Sequence, residues 1–329
     1  MRIAYYEKNG GAAEVLRAGT MEDPRPGPGE VRVKLRTSGV NPSDVKTRAG
    51  LARKIAFPRV IPQSDGAGVI DMVGLGVPDR RMGERVWIWN GQWKRPNGTA
   101  AEYIVLPEAQ AVRLPAAASF EAGACLGIPA LTAWHAVELA GTSAEKTLLV
   151  AGGAGAVAHY AIQFAKARGA KVIATVSSAA KAKIAREAGA DHTIYYKSEN
   201  VGERVMAITG KAAGAGGVDA VLEVDLTANA ALIPTVLRPK GAVVVYGTGS
   251  QAQIPASFCL VNSIRLLFML VYELSPDERR RAVDGITKML EANTLIHNVA
   301  ATFPLDRIVE AHEAQESGKV SGNIVLKMG

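Results

Sequence analysis

Thr147–Ala158, TLLVAGGAGAVA, decides how the chain is read. Thr147–Val150 suits a buried parallel strand, Ala151–Gly155 is a turn of small residues, and AVAHYAIQFAKARG continues with helical periodicity. Gly152, Gly155 and Ala158 keep the spacing G-x-x-G-x-x-A. That spacing lets the backbone turn tightly, approach a pyrophosphate and pack the next helix on the sheet. Amides at the helix N-terminus, with the positive end of its dipole, then face the phosphates. Alone, the stretch also reads as a glycine-rich turn without a ligand.

The next segment weighs on that choice. Lys171–Val176, KVIATV, reads as the second parallel strand and ends about 20 residues after the turn, where an NAD-binding fold carries an acid for the ribose 2′-hydroxyl. No acid stands there. Ser177, Ser178 and Lys181 follow instead, two hydroxyls and a cation that suit a 2′-phosphate, so NADPH is expected over NADH. Ser178 also reads as the cap of the following helix and Lys181 as solvated surface; capping and phosphate binding are compatible. A third strand ending at Tyr196 brings an aromatic ring near the adenosine end, or packs it in the core. The strand Ala242–Tyr246 ends in Gly247-Thr248, either beside the nicotinamide or in an ordinary turn.

At 329 residues with 48% hydrophobic content, the chain suits two domains with a substantial core. The net charge of +7 is dispersed. Its densest run, Arg279-Arg280-Arg281, sits beside Asp277, Glu278 and Asp284, and no nucleic-acid reading motif accompanies it, so RNA is not an expected partner. Two cysteines, Cys125 and Cys259, are too few for a disulfide framework or a four-cysteine zinc lobe, and point to a reduced, cytoplasmic protein. The N-terminus lacks an apolar signal core, and the longest apolar run, Leu266–Tyr272, is too short to span a bilayer, so no membrane partner is expected.

Residues 1–120 carry short alternating segments such as Val31–Leu35 and Arg85–Ile88, broken by proline and glycine, which predicts a mostly β domain. From Glu121 the texture becomes strand–helix alternation, the rhythm of a doubly wound parallel sheet over residues 121–265. A charged helix (Pro276–Glu291), an amphipathic helix (Leu305–Ser317) and a strand (Asn323–Lys327) follow within residues 266–329.

The order of motifs resembles the medium-chain dehydrogenase/reductase superfamily, most closely its zinc-free, ζ-crystallin-like quinone oxidoreductase branch. The likeness rests on GVNPSDVKTRAG (39–50), PQSDGAGVI (62–70), MGERVW (82–87), GTAAEYIVLP (98–107), GIPALTAWHAV (127–137) and the glycine turn, and it covers essentially the whole chain. It implies an α/β protein with a GroES-like catalytic domain and a Rossmann domain. It further implies that the C-terminal segment returns to the first domain, that the active site lies between the domains, and that the chain is a homodimer. Nicotinamide and pyrophosphate contacts carry over to Asn41, Thr132, Gly152, Ala154, Gly155, Ala156 and Val157. Those to the 2′-phosphate and adenosine fall on Ser177, Ser178, Lys181 and Tyr196. Gly247, Thr248, Phe268, Met269 and Asn323 fall where the family closes around the nicotinamide and its phosphates, with the alignment loose after Pro255.

Zinc relatives place cysteine, histidine followed by glutamate, and a second cysteine at the metal; this chain has Asn41, Ser64 followed by Asp65, and Ile128. An amide, a hydroxyl and an alkyl chain do not make a zinc site, so no metal is expected. Hydride transfer to quinones or related conjugated carbonyls follows, because these acceptors delocalise charge without a Lewis acid. Asn41 is a candidate hydrogen-bond donor to a substrate carbonyl or the nicotinamide ribose, and equally a helix N-cap before Pro42. Lys46 replaces the tyrosine typical of the branch: a candidate for anionic substrates, or a solvated helix lysine. Gln63 replaces the usual glycine before Ser64-Asp65. Trp93, on the loop after Trp87 and Trp89, is a candidate wall for a flat ring, whereas Trp87 and Trp89 read as core. Two alternatives stand beside quinone reduction. One is an enoyl-thioester reductase, disfavoured because no tyrosine follows the NPSD motif to donate a proton. The other is a non-enzymatic NADPH- or RNA-binding protein of crystallin type.

Overall fold

The computed structural model describes residues 1–52, 54–210 and 216–329. By contact they form two units, residues 1–131 with 279–329, and residues 132–278, so the divisions fall later in the chain than the expected 120 and 265. One unit is mostly β and the other a parallel sheet with helices, the α/β class that the sequence predicts.

In the second unit six parallel strands lie in the order His192–Tyr195, Lys171–Val176, Thr147–Val150, Val218–Glu223, Leu237–Val245, Arg265–Phe268. The chain starts in the middle, steps outward through two strands, then returns to the other side of Thr147–Val150. Order therefore reverses between Thr147–Val150 and Val218–Glu223, and connections leaving their carboxyl ends diverge to opposite faces, which opens a crevice there. The strands are buried along both faces and mostly apolar, as a sheet covered on each side requires. Helix Ala156–Ala167 packs through a buried run from Ala158 to Ala165, where Tyr160 stacks on Phe164 and Phe164 meets Trp134 edge-on.

The first unit is organised by the strand Glu30–Val40. Its first half alternates buried Val31, Val33 and Leu35 with outward Arg32, Lys34 and Arg36, as one buried face demands. From Thr37 to Val40 every residue is buried. Two partners share its free edge: Tyr103–Pro107 pairs with residues 30–34 and Asn323–Lys327 with residues 37–40. Asp65–Val73 runs along its other side, followed by Arg85–Ile88 and Ala111–Arg113. Val299–Pro304 and Asn323–Lys327 are thus part of the same seven-stranded sheet as the strands of residues 30–113, while Arg2–Tyr5 and Arg17–Thr20 pair separately.

Several elements differ in detail from the sequence pattern. The apolar run at Leu266 contributes an edge strand, Arg265–Phe268, preceded by a short helix, Ala256–Val261. Helix Val201–Thr209 was not expected from the sequence; Asn200 caps it by accepting from the Glu203 amide. The last amphipathic segment opens with one tight turn, Leu305–Arg307, before the helix Ile308–Glu316.

Candidate active site

The glycine turn leaves strand Thr147–Val150 at the point of strand-order reversal. Gly152 has φ +66°, the left-handed conformation that glycine adopts without strain. Its amide donates to Thr175 Oγ1 (3.1 Å) and the Gly153 amide to the Thr175 carbonyl (2.9 Å), so the neighbouring strand holds the turn. Gly155 is the N-cap of helix Ala156–Ala167. A Cβ there would meet only the Gly152 carbonyl, at 3.2 Å; a Cβ on Gly153 would lie 2.7 Å from Ala174 Cβ and 3.2 Å from Ala185 Cβ. The two glycines therefore serve different ends. Gly153 lets helix and strand touch, while Gly155 keeps space clear in front of the helix.

Ala154 is buried, and Ala156 and Val157 are half-buried or exposed only in part in the first turn of that helix. At the end of the next strand Ser177 is half-buried and Ser178 exposed, and Ser178 Oγ accepts from the Lys181 amide at 3.3 Å. Ser178 thus caps helix Ala179–Glu187 and keeps its own proton to donate. Tyr196, 49% exposed, follows the outer strand and lines a cavity of about 590 Å³ together with Gly152, Thr175, Asn200, Glu223 and Asp225. Glu223 Oε1 accepts from the Asp225 amide (2.6 Å) and Asn229 Nδ2 (2.9 Å), and burial pushes its carboxyl above the usual range.

Gly247 and Thr248 follow the strand Leu237–Val245, and Thr227 organises their loop. Its Oγ1 accepts from Gly249 N (2.9 Å), donates to Gln251 O (2.8 Å) and lies 3.2 Å from Thr248 Oγ1. Phe268, 61% exposed, ends the edge strand, and the Met269 amide donates to Val245 O. Thr132 is buried in helix Leu131–Leu139.

In the first unit, strand Glu30–Val40 delivers Asn41 as the N-cap of helix Pro42–Ala49, with Pro42 at its start. The Asn41 amide N–H donates to Asp44 Oδ2 (2.8 Å), and its side-chain Nδ2 to Asp65 Oδ2 (2.8 Å). Asn41 is therefore both a helix start and a side chain engaged with a buried acid. Ser64 is buried; its carbonyl accepts from Gly91 N and its Oγ from Gln92 N, which holds the loop bearing Trp93. Ile128 lies in a wide, buried turn at Leu126–Ala130. Lys46 is exposed in the last turn of its helix, and Trp93 is half-buried with the Lys94 ammonium 5.4 Å from its ring. Trp87 is fully buried, as expected of core; Trp89 lies one residue past the strand, with the Arg279 guanidinium 4.0 Å from its ring. Asn323 is buried at the start of its strand, donating from Nδ2 to Asn298 O.

Gln63 has φ +76°, which explains why glycine suits this position. The glutamine is held by a fully buried network. Ser38 Oγ donates to Gln63 Oε1 and lies 2.7 Å from Thr99 Oγ1, Thr99 donates to the Asp65 carbonyl, and Gln63 Nε2 lies 3.5 Å from His312 Nε2. Burial, with Arg48 nearby, brings the His312 imidazole down to about 3, so it is neutral across the physiological range. Among the described residues, no group of three or more His, Cys, Asp or Glu side chains is placed to hold a metal ion.

Residues 27–116 match the alcohol dehydrogenase GroES-like domain family and residues 156–288 the zinc-binding dehydrogenase family. A quinone oxidoreductase of Pseudomonas aeruginosa is 30% identical over 325 residues, covering 96% of each chain. A crystal structure of an NAD-dependent alcohol dehydrogenase superposes with a TM-score of 0.89 at 30% identity, covering all of both chains. The Escherichia coli quinone oxidoreductase, solved in complex with NADPH, gives 0.86 at 26% identity, covering 99% of this chain and all of that one. The chain belongs to the medium-chain dehydrogenase/reductase superfamily, in its quinone oxidoreductase family, and is an oxidoreductase.

The two glycines give separable predictions. Gly153→Val should lower stability by about 1–3 kcal/mol through overpacking, seen as an earlier denaturation midpoint. Gly155→Val, with a backbone already extended, should leave the midpoint unchanged or slightly raised while dinucleotide affinity falls at least tenfold by titration calorimetry.

Proposed function

We propose that the protein is a metal-independent NADPH:quinone reductase. The observation that carries the reading is the end of strand Lys171–Val176. There Ser177, Ser178 and Lys181 follow the strand whose Thr175 holds the glycine turn, and the strand ends without the carboxylate that a bare ribose calls for. Of the two similar structures one is an NAD-dependent enzyme and the other a complex with NADPH, so the choice rests on these residues. When bound, NADPH supplies the hydride. The open space before Gly155 admits the pyrophosphate to the helix N-terminus, and the Ser178 hydroxyl and Lys181 ammonium take the 2′-phosphate. Gly247, Thr248, Phe268 and Met269, at the ends of the last two strands, and Thr132 flank the nicotinamide end. Of the first unit's residues, Asn41 is assigned a hydrogen bond to the acceptor carbonyl or the nicotinamide ribose, Lys46 and Trp93 the substrate, and Asn323 the cofactor.

Metal independence rests on the donor set. Asn41 is turned to Asp65, Ser64 to the Gly91-Gln92 backbone, and Ile128 presents only carbon. Zinc requires thiolate, imidazole or carboxylate ligands in tetrahedral reach, and these side chains do not fit it. Both cysteines are free, which supports a reducing, cytoplasmic site of action. Among the described residues no helix is long and apolar enough to cross a membrane.

A homodimer is part of the same reading. Among the described residues strand Arg265–Phe268 pairs on one side only, and the chain around it exposes Leu260, Val261, Phe268 and Leu270. L260E/V261E should shift the protein from dimer to monomer in light scattering; a wild-type monomer would refute the assembly.

NADPH oxidation should be rapid with 1,4-benzoquinone or 9,10-phenanthrenequinone, slow with crotonyl-CoA, and unchanged by EDTA. Preference for the thioester would transfer the assignment to an enoyl reductase. Lys181→Ala should weaken NADPH about tenfold or more, for a charge-assisted contact of about 1.5–3 kcal/mol, and leave NADH nearly unaffected; equal losses would remove Lys181 from the 2′-phosphate.

A further inference from the structure

The Asp65 carboxyl group is fully buried, and its two oxygens have different surroundings. Oδ2 accepts the Asn41 side-chain N–H at 2.8 Å. Oδ1 has no hydrogen-bond partner. The point where a Cβ on Gly127 would lie is 2.3 Å from Oδ1 and 2.4 Å from the Ile88 carbonyl oxygen, so only glycine leaves the Asp65 carboxyl its place. A fully buried oxygen without a partner is costly as part of an anion, which favours the protonated acid.

The charged groups around the site lead to the same conclusion. Asp44, on helix Pro42–Ala49, is itself an anion partner of the Asn41 backbone, and Cys125, before the wide turn, is a buried thiol held protonated chiefly by burial. No cation faces Asp65 among the groups that shift it. Burial first, then Asp44, hold its carboxyl well above the usual range, while the Asn41 hydrogen bond and the Ile128 amide pull the other way.

We propose that Asp65 is a positioning residue for this reductase: a buried carboxylic acid that fixes the Asn41 amide by accepting its N–H through Oδ2. The inference rests on the proposed reading only where Asn41 meets the acceptor carbonyl. Its consequence is chemical. An amide locked by a neutral acid presents a directional donor without placing a negative charge beside the oxygen that gains electron density during reduction.

The test compares D65A with the isosteric D65N. The amide introduced by D65N can offer its oxygen to Asn41, as the protonated acid does, and stays uncharged at every pH. In proton spectra of protein labelled with 15N-asparagine, assigned by loss in N41D, the Asn41 side-chain amide should exchange slowly with solvent in wild type and D65N. In D65A it should exchange at least tenfold faster. With quinone, D65A should lose about 10- to 100-fold in kcat with NADPH affinity unchanged, and D65N should recover most of that loss.

A pH series tests the protonation state separately. A group whose folded-state pKa is raised stabilises fully below its unfolded value of 3.8 and loses that contribution as pH rises toward the folded value. The denaturation midpoint of wild type should therefore fall relative to D65N between pH 5 and 8. A constant difference, a D65N as impaired as D65A, or an Asn41 amide that exchanges rapidly in wild type would overturn the proposal. Absence of quinone turnover in wild type with slow exchange and the pH trend intact would instead count against the proposed function alone.

Discussion

Two hydrogen bonds from a single residue, Thr175, set the geometry on which the parallel sheet's crevice depends. Its hydroxyl and carbonyl bind the Gly152 and Gly153 amides, so the first half of the turn is committed to the sheet before the helix begins. Helix Ala156–Ala167 then starts where amides lack backbone partners by construction. Because strand order reverses one strand away, the neighbouring chain leaves on the other face and does not cover that start. A binding surface for anions arises from topology, and one threonine in an otherwise apolar strand gives it a fixed shape.

A comparable constraint governs the first unit. Glu30–Val40 changes from one buried face to complete burial at Thr37, and polar side chains in the buried half must find partners inside. Thr37 donates to the Phe120 carbonyl, and Ser38 joins Gln63 and Thr99. This network offsets the left-handed backbone at Gln63, a conformation costing about 1–3 kcal/mol, with buried hydrogen bonds worth about 1 kcal/mol each. It also ties the strand that carries Asn41 to the segment carrying Asp65 through the Thr99 hydroxyl.

Much of this is legible in the sequence because it is local. The strands Thr147–Val150, Lys171–Val176 and Asn323–Lys327 and the helix Pro276–Glu291 have the predicted bounds, since their apolar periodicity lies within their own residues. Less legible were features that depend on distant partners. Gly153 looks interchangeable with Gly155 until Ala174 and Ala185 are placed against it. Leu266–Phe268 reads as a plain apolar run because an edge strand takes its definition from a neighbour, Val243–Val245. Thr175 had left a signal, a lone hydroxyl in KVIATV, and Asp65 another, an acid in a motif otherwise free of charge. Neither residue identifies its partner from sequence, because Gly152 and Asn41 lie 23 and 24 positions away.

The donor set around Asn41 bears on which acceptors such a site suits. A metal polarises a carbonyl with a full positive charge, whereas one placed neutral donor typically lowers the barrier by about 2.7–4 kcal/mol. An isolated ketone gains too little from that, because its developing charge stays on one oxygen. A quinone spreads the same charge over a ring and a second oxygen, and its product can be protonated by water, so a single amide donor suffices. On the proposed reading, the substitution of amide, hydroxyl and alkyl side chains at Asn41, Ser64 and Ile128 removes a ligand set and, in doing so, narrows the acceptors to those that are already electron-poor.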